Sequence, residues 1–311
     1  MTRALRFDYR SRWFAVGRTL LALATLSELL FSQPAALFTA VGPTPPGPTC
    51  STASGTVSLF CLGDPHQLGA IRWWLAIAIV VLVASGYRPR VMALPHLWVA
   101  FSVATSITLP DGGDAIGLIV VLLITPMCLA DPRRSQWDPP RPPMHRAGRT
   151  VAYLSFWALR LQMAYLYADS AIAKMGVEDW QNGSAFYYFV RDRMFGAAGP
   201  LTPVWMWLSD QALTTLAITW GAIVAELAIA VFTLLGRRWR LAAFWLGVAL
   251  HTLIFLSMGL FSFSLVMIAT GALIATPEQP SRRGPRQPCP HRHLPAHNET
   301  ASPQLGHAEG A

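Results

Sequence analysis

The chain has 311 residues, of which 53% are hydrophobic and 13% are charged, and its formal net charge at pH 7 is +8. This composition is typical of a membrane protein and excludes an ordinary soluble domain. The positive charge lies in short arginine clusters between apolar runs, as in the cytoplasmic loops of membrane proteins, so the sequence predicts a lipid bilayer and no nucleic acid as its environment.

Apolar runs of about 17 to 25 residues are long enough to cross a bilayer as helices. Eight such runs lie at about residues 14–32, 70–87, 92–109, 114–130, 150–173, 211–236, 241–258 and 259–276. We predict an all-α fold, a polytopic transmembrane bundle of about eight helices. Seven helices or a re-entrant segment is the alternative, because several runs are short or abut at Gly259.

The sequence divides into two parts. Residues 1–276 are predicted to form the transmembrane domain, whose first helix follows a basic amino-terminal segment. Residues 277–311 are rich in Pro, Arg and His and are predicted to be a disordered cytoplasmic tail.

Arginine and lysine residues divide unequally between the two sides of this bundle. Eighteen lie in the predicted cytoplasmic segments, and three, Lys174, Arg191 and Arg193, lie on the opposite side. The positive-inside rule therefore places both termini in the cytoplasm and Lys174 at the outer end of the fifth helix.

The first outer loop, about residues 33–69, contains Cys50 and Cys61. Cysteines in an exported loop usually pair, so we predict a disulfide, with two buried free thiols as the alternative. Cys128 is predicted to be a buried membrane thiol and Cys289 a cytoplasmic one. Neither is spaced like a metal ligand, and we predict no metal site.

The predicted cytoplasmic loop 131–149 is too rich in proline for a helix. We expect an extended, solvated connector, and recruitment of a partner is the alternative.

Several charged residues lie inside the predicted helices or at their rim, where charges are costly and usually face a bundle interior or a wet cavity. They are Arg18, Glu28, Arg160, Asp169, Lys174 and Glu226. On the fifth helix Arg160, Tyr167 and Lys174 recur every seven residues, and an adjacent stripe is formed by Gln162, Tyr165 and Asp169.

This pattern favours a polar cavity that opens outward. In this interpretation Lys174 is a base or a ligand anchor, and Arg160 and Glu226 form a buried pair that orders the cavity. His251 exchanges protons or binds a substrate carbonyl. The alternative is that these groups only hold helices together through ion pairs and hydrogen bonds.

Lys174 is the only lysine among 24 basic residues. Burial lowers the pKa of a lysine in general, whereas an arginine keeps its proton near neutral pH. The one aliphatic side-chain amine is therefore the candidate base.

The segment after Lys174 is aromatic and contains Trp180 and two glycines, Gly183 and Gly196, that permit tight turns. We expect short amphipathic pieces that lie along the outer membrane surface and cap the cavity. The alternative is an interfacial belt without a further role.

Several sequence motifs resemble those of two known protein families. The run YADSAIAKMGVEDWQNGSAFYY (167–188), which contains Asp179, Trp180 and Gly183, resembles the HTTM domain shared with vitamin K-dependent gamma-glutamyl carboxylases, and HTLIFLSMGLFSFSLVMI (251–268) is a second match. The segments SLFCL (58–62), ASGYRPR (84–90), DGGD (111–114), DPR (131–133), Arg160-x-Gln162 and MFG (194–196) make nearly the whole chain similar to the SdpB family of bacterial antimicrobial-peptide systems.

The resemblance implies a multi-pass protein of the bacterial cell membrane that matures a secreted SdpC-type peptide toxin with a small SdpA-like partner. It also implies a carboxylase-like enzyme in which Lys174 is the base toward a quinone cofactor of the vitamin K hydroquinone type. The carboxylases carry two adjacent lysines here and a large soluble region that binds a propeptide, whereas this chain has one lysine and a short tail.

Three hypotheses therefore stand. The first is a maturation factor for a secreted peptide, with lysine-assisted chemistry at the outer leaflet. The second is a membrane chaperone or docking platform that holds the precursor without catalysis. The third is an immunity protein or a transporter. No HExxH or Gly-x-Ser-x-Gly motif predicts a protease.

Overall fold

The structure is a computed structural model that describes residues 4–32, 37–39, 47–50, 55–63, 65–108, 112–140, 144–193, 196–197 and 199–280. Of the tail predicted as disordered from residue 277, residues 277–280 are described and are ordered, since they include a short strand and Glu278 pairs with Arg240. The rest of that tail, with Cys289, lies outside the described residues. Eleven α-helices occur in the described part of the chain. They are α1 (Arg12–Phe31), α2 (Pro65–Ser85), α3 (Pro89–Ser106), α4 (Gly112–Leu129), α5 (Arg146–Lys174), α6 (Glu178–Gln181), α7 (Ala185–Arg191), α8 (Thr202–Asp210), α9 (Ala212–Leu234), α10 (Arg237–Met258) and α11 (Phe261–Ile274).

Each of the eight predicted runs forms a helix, and the prediction of an all-α membrane bundle is confirmed. Within the described ranges, α1, α4, α9 and α10 are each long and apolar enough to cross a membrane, and α2 and α11 contain shorter apolar stretches. The last two runs are separate helices because Gly259 ends α10 in the left-handed conformation, with φ of 75°. Glycine adopts this conformation without a steric penalty.

Two hydrophobic cores hold the bundle together. The larger core joins α1, α3, α4, α5, α9, α10 and α11, and the smaller one joins α1, α2 and α3 with Leu59 and Phe60 of the loop between α1 and α2. Helix α1 contributes to both cores and packs along α11. The close approach of these two helices requires Gly17, because a Cβ there would lie 2.7 Å from Leu273 Cγ and 2.9 Å from the Ala269 carbonyl oxygen.

The ends of the described chain meet through two short strands. Strand β1 (Phe7–Asp8) pairs antiparallel with β2 (Gln279–Pro280). Next to β1, Tyr9 donates a hydrogen bond from its hydroxyl to the Met127 carbonyl. Burial raises the pKa of Tyr9 well above its usual value, so the hydroxyl keeps the proton that it donates.

The loop after α4 is solvated only in part. Asp131, Arg133 and Gln136 are buried, and the Gln136 amide accepts a hydrogen bond from Arg18 Nη1 at 2.9 Å and donates one to Thr19 Oγ1 at 2.8 Å. Pro132, Pro139 and Pro140 are exposed, as expected for a solvated connector, whereas Gln136 is buried because the buried Arg18 guanidinium needs an acceptor.

The loop between α1 and α2 contains the predicted disulfide between Cys50 and Cys61, whose Cα atoms lie 5.7 Å apart. The loop also binds helix α3, since Ser102 Oγ accepts a hydrogen bond from the Leu59 amide at 2.8 Å. On the other side, Arg72 of α2 donates to the Phe60 carbonyl at 2.8 Å. The disulfide therefore closes a loop that is fixed to two helices.

Replacing Gly17 by Ala should destabilise the protein by about 1–3 kcal/mol, because the added methyl group meets the backbone of α11. The measurement is the thermal unfolding midpoint of purified protein in lipid nanodiscs. Gly221→Ala in α9 is the matched control, since a Cβ there has nothing within 4 Å. It should leave the midpoint unchanged or raise it slightly, and equal midpoints for the two variants would contradict close packing at Gly17.

Replacing either Cys50 or Cys61 by Ser should lower stability by about 2–3 kcal/mol, since the bridge closes a short loop of the unfolded chain. Intact mass after alkylation under denaturing, non-reducing conditions should show one more reactive thiol in each variant than in the wild type. A wild-type chain that binds label at Cys50 and Cys61 without a reductant would show that the disulfide is absent.

Candidate functional site

A cavity of about 540 Å³ lies between α5, α9, α10 and α11 and is bordered by the short helices α6, α7 and α8. Its walls are mostly aliphatic and aromatic. The polar side chains in the lining are Tyr167, Ser170, Lys174, Thr219, Glu226, His251 and Ser257, besides the indoles of Trp180 and Trp205. An apolar pocket with few polar groups is the usual form of a small-molecule or apolar-segment site.

The centre of the site is an ion pair between Lys174 and Glu226. Lys174 Nζ lies 2.8 Å from Glu226 Oε1 and 2.7 Å from Oε2, and the two side chains are only 19% and 11% exposed. Ser170 Oγ accepts a hydrogen bond from the same Nζ at 2.6 Å and donates one to Glu226 Oε1 at 3.3 Å. The Ser170 carbonyl oxygen lies 3.4 Å from Nζ as well, so four acceptor atoms surround the three donors that a lysine ammonium group carries.

Helix geometry explains how these groups meet. Ser170 and Lys174 are four residues apart on α5 and therefore share one face. A lysine near the end of a helix points back toward the preceding turn, which brings its amine over Ser170. Helix α9 packs against α5 and supplies Glu226 from the opposite wall.

A second polar pair lies in the same cavity. The Tyr167 hydroxyl and His251 Nε2 are 2.9 Å apart, and both residues are buried. His251 Nδ1 has no hydrogen-bond partner among the described residues, and the ring packs against Phe263. The pair joins α5 to α10 and leaves one imidazole nitrogen without a protein partner.

The segment after α5 covers one side of the cavity. The Trp180 ring lies 5.3 Å from Lys174 Nζ, within cation–π distance, and the Phe186 amide donates to Thr219 Oγ1 of α9 at 3.1 Å. Farther along, Trp205 Nε1 donates to the Leu256 carbonyl at 2.9 Å. These contacts fix the short helices on the bundle.

The predicted pair of Arg160 and Glu226 does not form. Arg160 instead donates to the Thr233 carbonyl at 2.9 Å and to the Leu235 carbonyl at 3.0 Å, and its Nη1 lies 3.8 Å from Glu278 Oε1. The last carbonyls of a helix have no partner within that helix, and the end of α9 offers them next to Arg160. Glu226 lies seven residues before Thr233 on α9, where Lys174 binds it.

Four other residues that the sequence predicts as part of the site do not line the cavity. Asp169 is exposed, Gln162 is half-buried, and neither side chain reaches the cavity lining. Asp179 and Gly183 shape the segment after α5: Asp179 Oδ1 accepts from Ser184 Oγ at 3.4 Å, and Gly183 has φ of 83°. A polar stripe on a helix predicts a wet face, but at Asp169 that face points outward from the bundle.

Sequence reasoning missed Ser170. Its signal was present, since a serine four residues before the only lysine shares the face of that lysine. Tyr167, Trp180, Glu226 and His251 do line the cavity together with Lys174, as the sequence analysis predicts for a shared polar site.

Comparisons with known proteins agree with this architecture. The family model for the HTTM domain matches residues 118–278. Protein YitO of Bacillus subtilis (strain 168) is 30% identical over 279 residues, which covers 88% of this chain and 88% of YitO. Sporulation-delaying protein SdpB of the same organism is 30% identical over 271 residues, 86% of this chain and 81% of SdpB. No solved structure matches the chain.

The HTTM match covers half of the chain and includes every residue of the cavity, and the similarity to SdpB and YitO extends over most of its length. The chain therefore belongs to the SdpB-like family of HTTM-domain membrane proteins.

Proposed function

We propose that this protein is a bacterial cell-membrane factor that matures a secreted SdpC-type antimicrobial peptide at the outer leaflet. The observation that carries the proposal is the ion pair of Lys174 and Glu226 in the wall of the apolar cavity. Both termini then lie in the cytoplasm, the cavity faces outward, and an SdpA-like protein is the expected partner. The charge distribution and the similarity to SdpB support this arrangement.

The cavity suits a substrate with an apolar body. A desolvated ion pair strengthens electrostatic interactions with a polar group that enters beside it. Lys174 is held in place by Ser170 and Glu226, so its amine would stabilise negative charge that develops on a reacting oxygen. The Tyr167 hydroxyl and His251 supply a second group that donates or accepts a proton in the same space.

A quinone-type cofactor fits the apolar walls of the cavity, where Lys174, Glu226 and the Tyr167–His251 pair would meet its polar oxygens. When bound, such a group would supply redox chemistry. Lys174 acts as a base toward it only after Glu226 releases or deprotonates the amine, because both carboxylate oxygens contact Nζ.

A non-catalytic docking platform is the second candidate. The observation that favours it is the surface formed by the disulfide-closed loop and by α6 to α8, which holds exposed aromatic groups such as Tyr188 and Trp207. On this alternative Lys174 acts only by its charge.

An immunity protein or a transporter is the third candidate. Producer cells that lack the chain, still secrete mature peptide and die of it would favour immunity.

Lys174→Met and Lys174→Arg should each reduce secreted mature peptide by at least about 100-fold. Met removes the charge, and the planar guanidinium of Arg does not reproduce three contacts around one nitrogen atom. The measurement is the mass and amount of the secreted peptide in a producing strain. Arg193→Met is the control, since Arg193 is an exposed cation of the same outer segment that lies outside the cavity.

Wild-type maturation in the Lys174→Arg variant, with loss in Lys174→Met, would support the docking platform instead. Wild-type maturation in both would exclude a chemical role for Lys174.

Lys174→Met should also lower the thermal unfolding midpoint, because it leaves a buried carboxylate without its partner. Loss of one member of a buried ion pair costs about 3–5 kcal/mol. The double variant Lys174→Met, Glu226→Gln should recover most of this stability without recovering maturation, which separates folding from chemistry. An unchanged midpoint in Lys174→Met would show that the pair contributes nothing to folding.

A further inference from the structure

We infer that Ser170 is a nucleophile and that Ser170, Glu226 and Lys174 form a hydrolytic triad that cleaves a peptide bond of the secreted precursor. This inference rests on the proposed function and names its reaction. It is carried by three contacts among three side chains that line one cavity: Nζ to Oγ at 2.6 Å, Oγ to Glu226 Oε1 at 3.3 Å, and Nζ to the carboxylate at 2.7 and 2.8 Å.

The arrangement has the parts that an activated serine requires. A serine hydroxyl is a weak nucleophile until a neighbouring base takes its proton, and serine–lysine pairs serve this purpose on several unrelated folds. Here the hydroxyl proton points to Glu226, and the Lys174 ammonium donates to the same oxygen atom. Glu226 is therefore the base, and Lys174 stabilises negative charge on Oγ.

The environment suits peptide hydrolysis rather than hydrolysis of a soluble metabolite. The walls around the triad are aliphatic and aromatic, which fits an extended apolar peptide segment. Ser170 lies one turn before the end of α5, about 6 Å along the helix axis from Lys174, and it is half-buried in the cavity wall.

The first half of the reaction forms an ester on Ser170. Oγ bonds to the carbonyl carbon, the π electrons move to the carbonyl oxygen, and the hydroxyl proton passes to Glu226. The electron pair on that oxygen then re-forms the C=O bond as the C–N bond breaks, Lys174 gives a proton to the departing amine, and Glu226 returns its proton to Lys174.

Water completes the second half. Water bonds to the ester carbon while Glu226 takes its proton, and Oγ leaves with that proton. The products are a carboxylic acid and an amine, one water is consumed, and all three side chains return to their starting states.

Another serine in the same cavity provides a matched control. Ser257 Oγ donates to the Leu253 and Ile254 carbonyls of its own helix, at 2.8 and 3.3 Å. Its hydroxyl proton is bound by backbone and has no carboxylate beside it. It should therefore be unreactive although it lines the same space.

The first test is covalent labelling of the purified full-length protein in nanodiscs with a fluorophosphonate, which bonds to an activated serine and releases fluoride. We expect one label, placed on Ser170 by peptide mass mapping. Ser257→Ala should label as the wild type does, Ser170→Ala should not label, and Glu226→Gln and Lys174→Met should label at least about 100-fold more slowly. No label, a label on another serine, or an unchanged rate in Glu226→Gln would overturn the inference.

The second test measures secreted peptide in the producing strain. Ser170→Ala should abolish maturation while it keeps the wild-type unfolding midpoint, and Ser170→Cys should keep part of it and become sensitive to N-ethylmaleimide. A purely structural role predicts that Cys, a weaker hydrogen-bond partner, performs no better than Ala. Maturation that survives Ser170→Ala but not Lys174→Met would overturn the triad and leave the proposed function standing. Maturation that survives both substitutions would contradict the triad and the proposed function alike.

Discussion

The ion pair between Lys174 and Glu226 is the contact on which the arrangement of the second half of the bundle depends. A carboxylate inside a membrane helix is too costly to leave without a partner, so α9 must present Glu226 to a cation. Lys174, near the end of α5, is the cation that binds it. The same contact that fixes these two helices also places a charged group in the wall of an apolar cavity.

The opposite end of these helices uses arginine in another way. Arg160 donates to carbonyls at the end of α9, and Arg240 donates to the Ile274 and Thr276 carbonyls at the end of α11. Both guanidinium groups approach one oxygen of Glu278. Here the charges satisfy helix ends, which otherwise leave buried carbonyls without donors. In this half of the bundle, Arg160 and Arg240 therefore hold helix ends together, whereas Lys174 lies at the end of α5 that borders the cavity.

The fold was predictable because the signal for each membrane helix is local. A run of about 20 apolar residues predicts a helix whatever its neighbours are, and Gly259 marked the break between the last two runs. The loop after α4 was not predictable in this way. Its prolines correctly exclude a helix, but burial of Gln136 depends on Arg18, which lies 118 residues away in the sequence.

The candidate site was predictable as a list of residues but not as a set of pairs. Lys174, Tyr167 and Glu226 are visible in the sequence as candidate site residues because each is a polar group in an apolar segment. The three side chains line one cavity. The partner of Glu226 depends on the relative height and rotation of α5 and α9, which no pattern within one helix records. Arg160 lies 14 residues from Lys174, about 21 Å along α5, so the two cations cannot serve the same carboxylate.

Ser170 shows why the third group of a site is harder to find than the first two. A serine inside a membrane helix usually bonds to its own backbone, as Ser257 does, and the spacing to Lys174 alone does not distinguish the two situations. The distinction comes from Glu226 on another helix, which turns the hydroxyl toward a carboxylate. The HTTM match at residues 118–278 contains all three residues, whereas the disulfide-closed loop precedes it. The cavity and its polar groups therefore belong to the HTTM part of the chain, whereas the disulfide-closed loop lies in the part that the HTTM family model does not match.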